Sequence, residues 1–190
     1  MNMRSLCSVS VLALALPLSA GSAWAAEATS SASARLIQPV TIINGPALNF
    51  GTLIKGNLTG PVGVTVDPQI GGFPTIVSSD PAAVTPLRGH TDANFQVTGE
   101  PDEVVVISPL SSILLKKEGG GTSAREMTVS DVLIDVWEPG VPGTDLLSGN
   151  SFTMPAGAVA YLEVGGKLTV EPEDELGQYT GSFVVAVNYL

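Results

Sequence analysis

Short apolar stretches separated by Gly- and Pro-rich breaks run through most of this chain, and this pattern constrains its fold more than any other feature. Apolar side chains recur at every second position, as in Val132, Ile134 and Val136, which is the period of a β-strand. No window of eleven or more residues has the 3.6-residue period of a helix. The 21 glycines and 14 prolines also disfavour long helices, because both residues break helix interiors. We therefore predict an all-β, antiparallel sandwich or barrel.

The N-terminus has the pattern of a secretory signal peptide. A basic start, Met1–Arg4, precedes an apolar stretch from Leu6 to Leu18 and an Ala-x-Ala cleavage pattern at Ala23–Ala25. The apolar stretch is shorter than the roughly 20 residues needed to span a bilayer. We predict that residues 1–25 are a signal peptide, and that the protein is exported to the periplasm and then to the cell surface or medium.

The charge and the cysteine content disfavour one class of binding partner and one class of metal site. The net charge of -10 (8 Lys+Arg, 18 Asp+Glu) disfavours binding to nucleic acid. Cleavage after Ala25 would remove Arg4, so the balance would become 7 − 18 = −11. It would also remove Cys7, the single cysteine, and leave a chain without disulfides or a cysteine-rich metal site.

Several internal segments are interpreted from their turn residues. Gly165-Gly166 lies between two apolar stretches and predicts a hairpin. Phe73–Asp92, which contains a short strand-like run, and Val141–Asn150 are predicted as long loops. Ser111–Lys117 is the one stretch that fits a helical turn as well as a strand.

The last stretch of the chain alternates most clearly. One face is almost wholly apolar and is predicted to point into the core; it comprises Tyr179, Gly181, Phe183, Val185, Val187 and Tyr189. From Phe183 to Leu190 the strand has no charged side chain. An apolar sheet edge without charge or proline is hazardous unless another strand covers it. Either a strand of the same domain or a strand from another molecule is expected to do so.

A second strand that alternates lies near the N-terminus of the expected mature chain. Leu36, Gln38, Val40 and Ile42 share one face, and Pro39, which cannot donate to a ladder, suits an edge or an added strand. We predict residues 26–44 as a flexible leader and candidate donor strand, and residues 45–190 as the sandwich. In strand donation, an extended segment completes the sheet of a neighbouring subunit.

The sequence resembles the exported, pilin-like β-sandwich proteins of Gram-negative bacteria, including a large family known only as a domain of unknown function. The matching motifs are Leu48-x-Phe50-Gly51, Phe95-x-Val97-x-Gly99, Val164-Gly165-Gly166-x-Leu168-x-Val170, the stretch Ala34–Ile42 with Pro39, and the alternation from Gly177 to Tyr189. The resemblance implies an immunoglobulin-like or pilin-like antiparallel β-sandwich with an N-terminal strand extension.

The resemblance also implies partners and a function. Chaperone–usher pilins tend to have a penultimate Tyr and a Gly fourteen residues from the end, as Tyr189 and Gly177 are here. It implies a fimbrial subunit that binds other copies of itself or related subunits, a periplasmic chaperone and an outer-membrane usher. Many pilins carry a disulfide, which the expected mature chain lacks. The sequence indicates no receptor.

Two other functions remain open. A monomeric secreted adhesin or carbohydrate-binding sandwich would use Trp137, although core or rim packing of that indole is the preferred interpretation. An exported hydrolase would use His90 with Asp92, but no Gly-x-Ser-x-Gly nucleophile motif accompanies them. We expect no enzyme activity, no metal and no cofactor. Asp131 and Asp135 are interpreted as surface residues, and the acidic residues 171–175 as a solvated turn.

Overall fold

A computed structural model describes residues 29–110, 112–119, 125–141 and 143–190. The predicted signal peptide lies outside these residues. Every regular element among them is a β-strand, and the fold is an antiparallel β-sandwich as predicted. Within the described part of the chain, no helix has the length and apolarity needed to cross a membrane.

The described residues form thirteen strands. They are β1 Thr41–Asn44, β2 Asn49–Lys55, β3 Val62–Asp67, β4 Thr75–Ser78, β5 Val84–Thr91, β6 Ala93–Thr98, β7 Val104–Ile107, β8 Ile113–Lys117, β9 Glu126–Trp137, β10 Ser151–Thr153, β11 Val159–Val170, β12 Tyr179–Thr180 and β13 Val187–Tyr189.

The strands form one large and two small sheets. The large sheet has the order β1-β6-β11-β9-β8-β12, with β3 pairing to β11 and β4 pairing to β3. The second sheet has the order β10-β7-β13, and β2 pairs with β5 in a third, two-stranded sheet. Every pairing between these strands is antiparallel.

The central strand β11 connects two apolar clusters of the core. Its first half contributes Ala160, Leu162 and Val164 to the first cluster, which also contains residues of β6, β7, β9 and β10. Its second half contributes Leu168 and Val170 to the second cluster, with residues of β2, β3, β8 and β9. Alternate residues of both halves thus face the core, while the middle of the strand, residues 162–166, is buried at every position.

The hairpin predicted at Gly165-Gly166 is wrong, because β11 continues through both residues as one strand. A Cβ at Gly165 would lie 2.2 Å from the Val66 carbonyl oxygen, and one at Gly166 would lie 2.8 Å from a methyl carbon of Val129. The glycines do not form a turn. Because they have no side chain, they let β3 and β9 approach β11 closely on its two sides. The pairing with β9 shifts register here, so the irregularity is a bulge.

Two other segment predictions also change. Phe73–Asp92 is not a long loop, because it contains β4 and β5, whose Pro86 and Gly89 gave it the composition of a turn region. The helical alternative for Ser111–Lys117 is wrong, since Ile113–Lys117 forms β8. Val141–Asn150 contains none of the thirteen strands within its described residues, as predicted.

The C-terminal strand is divided rather than continuous. Its first part, β12, pairs with β8, and its last part, β13, pairs with β7, with residues 181–186 outside the regular strands. Strands β7 and β8 are consecutive in the chain but belong to different sheets. The last residues of the chain therefore pair with a strand of each sheet in turn. We call Tyr179–Tyr189 the C-terminal segment.

Candidate functional site

A long groove separates β2 from the C-terminal segment. The two run beside each other without pairing, since β2 pairs with β5 while the C-terminal segment pairs with β7 and β8. The groove has a volume of about 1060 Å³. One wall is formed by Ala47–Leu53 and Lys55, and the other by residues 174–181 and Phe183. We call this the β2/C-terminal groove.

The floor of the groove is apolar and belongs to the second core cluster. It is formed by alternate residues of three strands: Ile113 and Leu115 of β8, Met127 and Val129 of β9, and Leu168 and Val170 of β11. These residues face inward, and all except Leu115 are buried within the second cluster. The bottom of the groove is thus made mostly of core side chains that the domain itself already buries.

The C-terminal segment is paired on one side only among the described residues. Its paired side lies against β8 and β7, and a Cβ at Gly181 would lie 2.2 Å from the Leu114 carbonyl oxygen. Such close contact excludes any side chain at Gly181. On the other side, toward the groove, no described strand pairs with the segment. Its outer backbone groups are therefore available to an added strand.

The opposite wall, β2, is shaped by a tight backbone conformation. Gly51 has φ 70°, and its N–H donates to Oδ1 of Asn49 at 2.7 Å. A Cβ at Gly51 would lie 2.2 Å from the carbonyl oxygen of Arg88 in β5. The pairing with β5 shifts register between Thr52 and Leu53. This bulge lets Phe50 and Leu53 both pack against the second cluster although their spacing is odd.

One end of the groove is held by a tethered turn, residues 171–175, which was interpreted from sequence as solvated. Lys55 Nζ of β2 donates to the carbonyl oxygens of Pro172 at 2.6 Å and Asp174 at 2.5 Å. Asp174 is 6% exposed, and its Oδ2 accepts a bond from the N–H of Glu171 at 2.7 Å.

Two ion pairs hold the same turn from β8 and from the residue before β9. Lys117 pairs with Glu175, and Arg125 pairs with Glu173 at 3.2 Å. The hydrogen bond from Lys117 lowers the pKa of the Glu175 carboxyl. Together with Lys55, three of the seven cationic side chains after residue 25 converge on this turn, which therefore has a defined position relative to both walls.

The predicted residues of the C-terminal segment occupy one wall of the groove and its continuation. Burial follows the predicted face except at Gly181, which is exposed: Tyr179, Phe183, Val187 and Tyr189 are half-buried and Val185 is buried. On the opposite face all residues are exposed except the half-buried Ala186. Gly177, Tyr179, Gly181 and Phe183 line the groove. Val185, Val187 and Tyr189 lie beyond it and pack against the first cluster.

The predicted residues of the N-terminal strand lie away from the groove lining. Leu36 is 97% exposed and Gln38 is exposed, whereas Val40 and Ile42 are half-buried against the first cluster. Only Thr41–Asn44 forms a strand, and it pairs with β6 of the same chain. The structure therefore divides the predicted donor strand into an exposed part and a part that belongs to its own sheet.

Sequence reasoning did not identify β2 as a groove wall. The motif Leu48-x-Phe50-Gly51 was noted only as part of a resemblance. Its signal was Gly51 within a strand pattern, which indicates a bulge or a close backbone approach.

Comparison with protein families gives a match over residues 40–189 to the model described as Domain of unknown function (DUF4402). The chain belongs to this family. A search of curated proteins and a search of solved structures each gave no match. The matched part of this DUF4402 domain includes β1, both walls of the groove and its floor.

The residues considered for other chemistry lie elsewhere in the DUF4402 domain. His90 is half-buried in β5, not in an exposed loop, and its Nε2 lies 3.1 Å from the Pro74 carbonyl oxygen. The Trp137 ring packs on Tyr161 with centroids 4.9 Å apart, and Gly71 lies against its edge.

A group of carboxylates lies near Trp137 on the sheet. Glu163 of β11 stands opposite Asp135 of β9, and its Oε1 accepts a bond from Asn94 Nδ2 at 3.3 Å. Burial raises the pKa of Glu163 to about 7, and the charges of Asp92 and Asp135 add to that rise. Burial also raises the pKa of Asp135 to about 6, with further contributions from Asp145, Asp67 and Asp92. Asp135 is thus half-buried rather than a simple surface residue. Within the described residues, no group of three or more potential ligands is arranged to hold a metal ion.

Proposed function

We propose that this protein is an exported structural subunit of a surface fimbria, and that it assembles by strand donation. The β2/C-terminal groove would accept the N-terminal leader of a second copy. The observation that carries the proposal is the groove itself, in which two unpaired strand edges flank an apolar floor of core residues.

The geometry of the groove suits an extended peptide. A strand laid between the walls would bond to backbone groups of β2 on one side and of the C-terminal segment on the other. Every second side chain would point to the apolar floor. On the face of the leader that carries Leu36 the other side chains are Ala and Ser, so Leu36 would contribute most, about 1.5–3 kcal/mol when fully buried, in addition to the main-chain bonds.

The length of the leader also suits the groove. β2 has seven residues and spans roughly 23 Å at about 3.3 Å per residue. Cleavage after Ala25 would leave residues 26–37, which are 37 − 25 = 12 residues, before Gln38. Twelve extended residues reach about 40 Å, which is more than enough for an inserted strand.

The remaining parts of the proposal come from the resemblance to pilins. A periplasmic chaperone would cover the groove after export, and an outer-membrane usher would pass subunits to the cell surface. The unprotected apolar C-terminal segment gives a physical reason for such a chaperone, because an open edge of this kind promotes aggregation.

Deletion of the leader tests the proposal. The full chain, expressed for export, is compared with a variant that lacks residues 26–37 by size-exclusion chromatography and electron microscopy. We expect oligomers or fibres from the full chain and only single subunits from the variant. Fibres from the shortened chain would overturn the proposal, and so would a full chain that stays monomeric, as the adhesin alternative expects.

A point substitution refines this test. Leu36→Asp places a charge on the face predicted to enter the groove, while Ser33→Asp, the matched control, places the same charge on the opposite face of the extended leader. We expect Leu36→Asp to reduce assembly strongly and Ser33→Asp to leave most of it intact. Equal effects would show that no face of the leader enters an apolar groove.

A further inference from the structure

We propose that the hydrogen bonds of the Tyr189 hydroxyl, which we call the clamp, hold the chain in place at Gln38. The donated segment then ends at Ile37, and residues from Gln38 onward stay with their own subunit. This inference rests on the proposed function and goes beyond it, because it assigns the boundary of the donated strand and a role to the penultimate tyrosine.

The clamp joins three distant parts of the chain. The Tyr189 hydroxyl donates to the Gln38 carbonyl oxygen at 2.9 Å and accepts a bond from the Glu100 N–H at 2.6 Å. The N–H of Gln38 in turn donates to Oε2 of Glu100 at 3.3 Å. Both backbone polar groups of Gln38 are therefore engaged, and one hydroxyl satisfies a donor and an acceptor at once.

The fold leaves space for this hydroxyl. Gly99 is buried beside it, and a Cβ at Gly99 would lie 2.7 Å from the Tyr189 hydroxyl oxygen and 3.0 Å from the terminal methyl of Met154. Any other residue at position 99 would displace the tyrosine. The glycine of the Phe95-x-Val97-x-Gly99 motif thus has a physical reason that its sequence pattern alone did not show.

The chain is packed against its own domain after the clamp and exposed before it. Downstream, Val40 and Ile42 pack against the first core cluster and Thr41–Asn44 pairs with β6. Upstream, Leu36 is 97% exposed. A donor strand that included Ile42 would have to break the clamp and at least two residue pairs of its own sheet, those of Thr41 and Ile42, before it met a partner.

The position of the clamp favours a second copy as the acceptor. Tyr189 lies at the end of the C-terminal segment, while the groove begins at Phe183, six residues or about 20 Å away. A leader of twelve residues that first covers this distance has about six residues left, fewer than the seven of β2. The leader of another copy meets no such limit.

A reversible disulfide between β1 and β6 tests the boundary. Thr41, the first residue of β1, stands directly opposite Thr98 in the antiparallel pair, and such partners have Cβ atoms about 4.5–5.5 Å apart, close to disulfide range. The full exported chain carrying Thr41→Cys and Thr98→Cys is oxidised as isolated subunits, and its assembly is compared with that of the reduced protein and of the wild type.

Three outcomes separate the boundary from the proposed function. Equal assembly of oxidised and reduced protein supports the clamp, because β1 then never leaves its own subunit. Assembly that is lost on oxidation and restored by reductant overturns the boundary but keeps strand donation. No assembly of the wild type under any condition overturns the proposed function, and the clamp with it.

Removal of one hydroxyl tests the tyrosine itself. Tyr189→Phe keeps the ring in the core and deletes the two bonds, and we expect hydrogen exchange of the Gln38 and Val40 N–H groups to become roughly fivefold faster or more. Tyr161→Phe, on β11, is the matched control and should leave this exchange unchanged. An unchanged rate in Tyr189→Phe would show that the hydroxyl does not hold the leader.

Discussion

The buried carboxylate of Glu163 makes the stability of this fold dependent on pH in a defined direction. Glu163 is 4% exposed, and its Oε2 has no hydrogen-bond partner within the described structure. Burial, with smaller contributions from Asp92 and Asp135, raises its pKa from 4.5 to about 7, although Asn94 and the Trp137 indole offset part of the rise. The folded protein therefore holds a proton that the unfolded chain loses above its ordinary pKa.

The sign of the effect follows from this difference. Between the two pKa values the folded state binds more protons, so the free energy of unfolding falls as pH rises. It is greatest below pH 4.5, declines up to about pH 7 and then stays level. A rise of about 2.5 pKa units corresponds to roughly 3 kcal/mol, of which about 2–3 kcal/mol is lost between about pH 5 and pH 8.

Urea unfolding at these two pH values checks the magnitude. Glu163→Gln cannot ionise, so the difference in unfolding free energy between the two pH values should shrink by about 2–3 kcal/mol relative to wild type. The exposed Glu118 provides the matched control, since Glu118→Gln should leave the difference unchanged. Asp135, with a pKa of about 6, is expected to keep part of the difference in Glu163→Gln, but a difference as large as that of the wild type would refute the assignment of the proton to Glu163.

Three further substitutions probe the walls and the core. Gly51→Ala should lower the unfolding free energy by about 2 kcal/mol or more in chemical denaturation, because a methyl group cannot fit against the β5 carbonyl; Gly60→Ala, which meets nothing within 4 Å, should be nearly neutral. Lys55→Met should speed hydrogen exchange in the turn 171–175, which Lys116→Met should not do, since Lys116 pairs with a residue of β9 instead. Leu162→Ala should cost about 2–5 kcal/mol in urea unfolding, and a cost under 1 kcal/mol would contradict its placement in the core.

The alternating pattern was enough to predict the fold class and most buried faces. Val132, Ile134 and Val136 lie in β9, and the odd-numbered residues of the C-terminal segment other than the exposed Gly181 are buried or half-buried. Alternation is a local property that a sheet preserves, since one face of each strand must meet the core. Residues in these strands were therefore predictable without knowledge of their partners.

The sequence-based predictions were wrong where the role of a residue depends on a neighbour that is distant in sequence. Gly165 and Gly166 have the sequence of a turn, but their small size serves the close approach of β3 and β9. The groove was likewise not predictable, because it depends on β2 pairing with β5 and leaving the C-terminal segment unpaired on one side. Alternation does not reveal which strands are neighbours, so it left open which strand covers the C-terminal segment and did not indicate the opposite wall.

Hydrogen exchange at the two groove walls tests the central proposal most directly. A synthetic peptide of residues 26–37 is added to the purified protein, and backbone exchange is followed in Asn49–Lys55 and Gly177–Phe183. The same peptide with Asp in place of Leu36 is the control. If the leader fills the groove, the native peptide should slow exchange in both walls by at least about tenfold, while the Asp peptide should have little effect. Unchanged exchange in both walls at saturating native peptide would contradict strand donation into this groove.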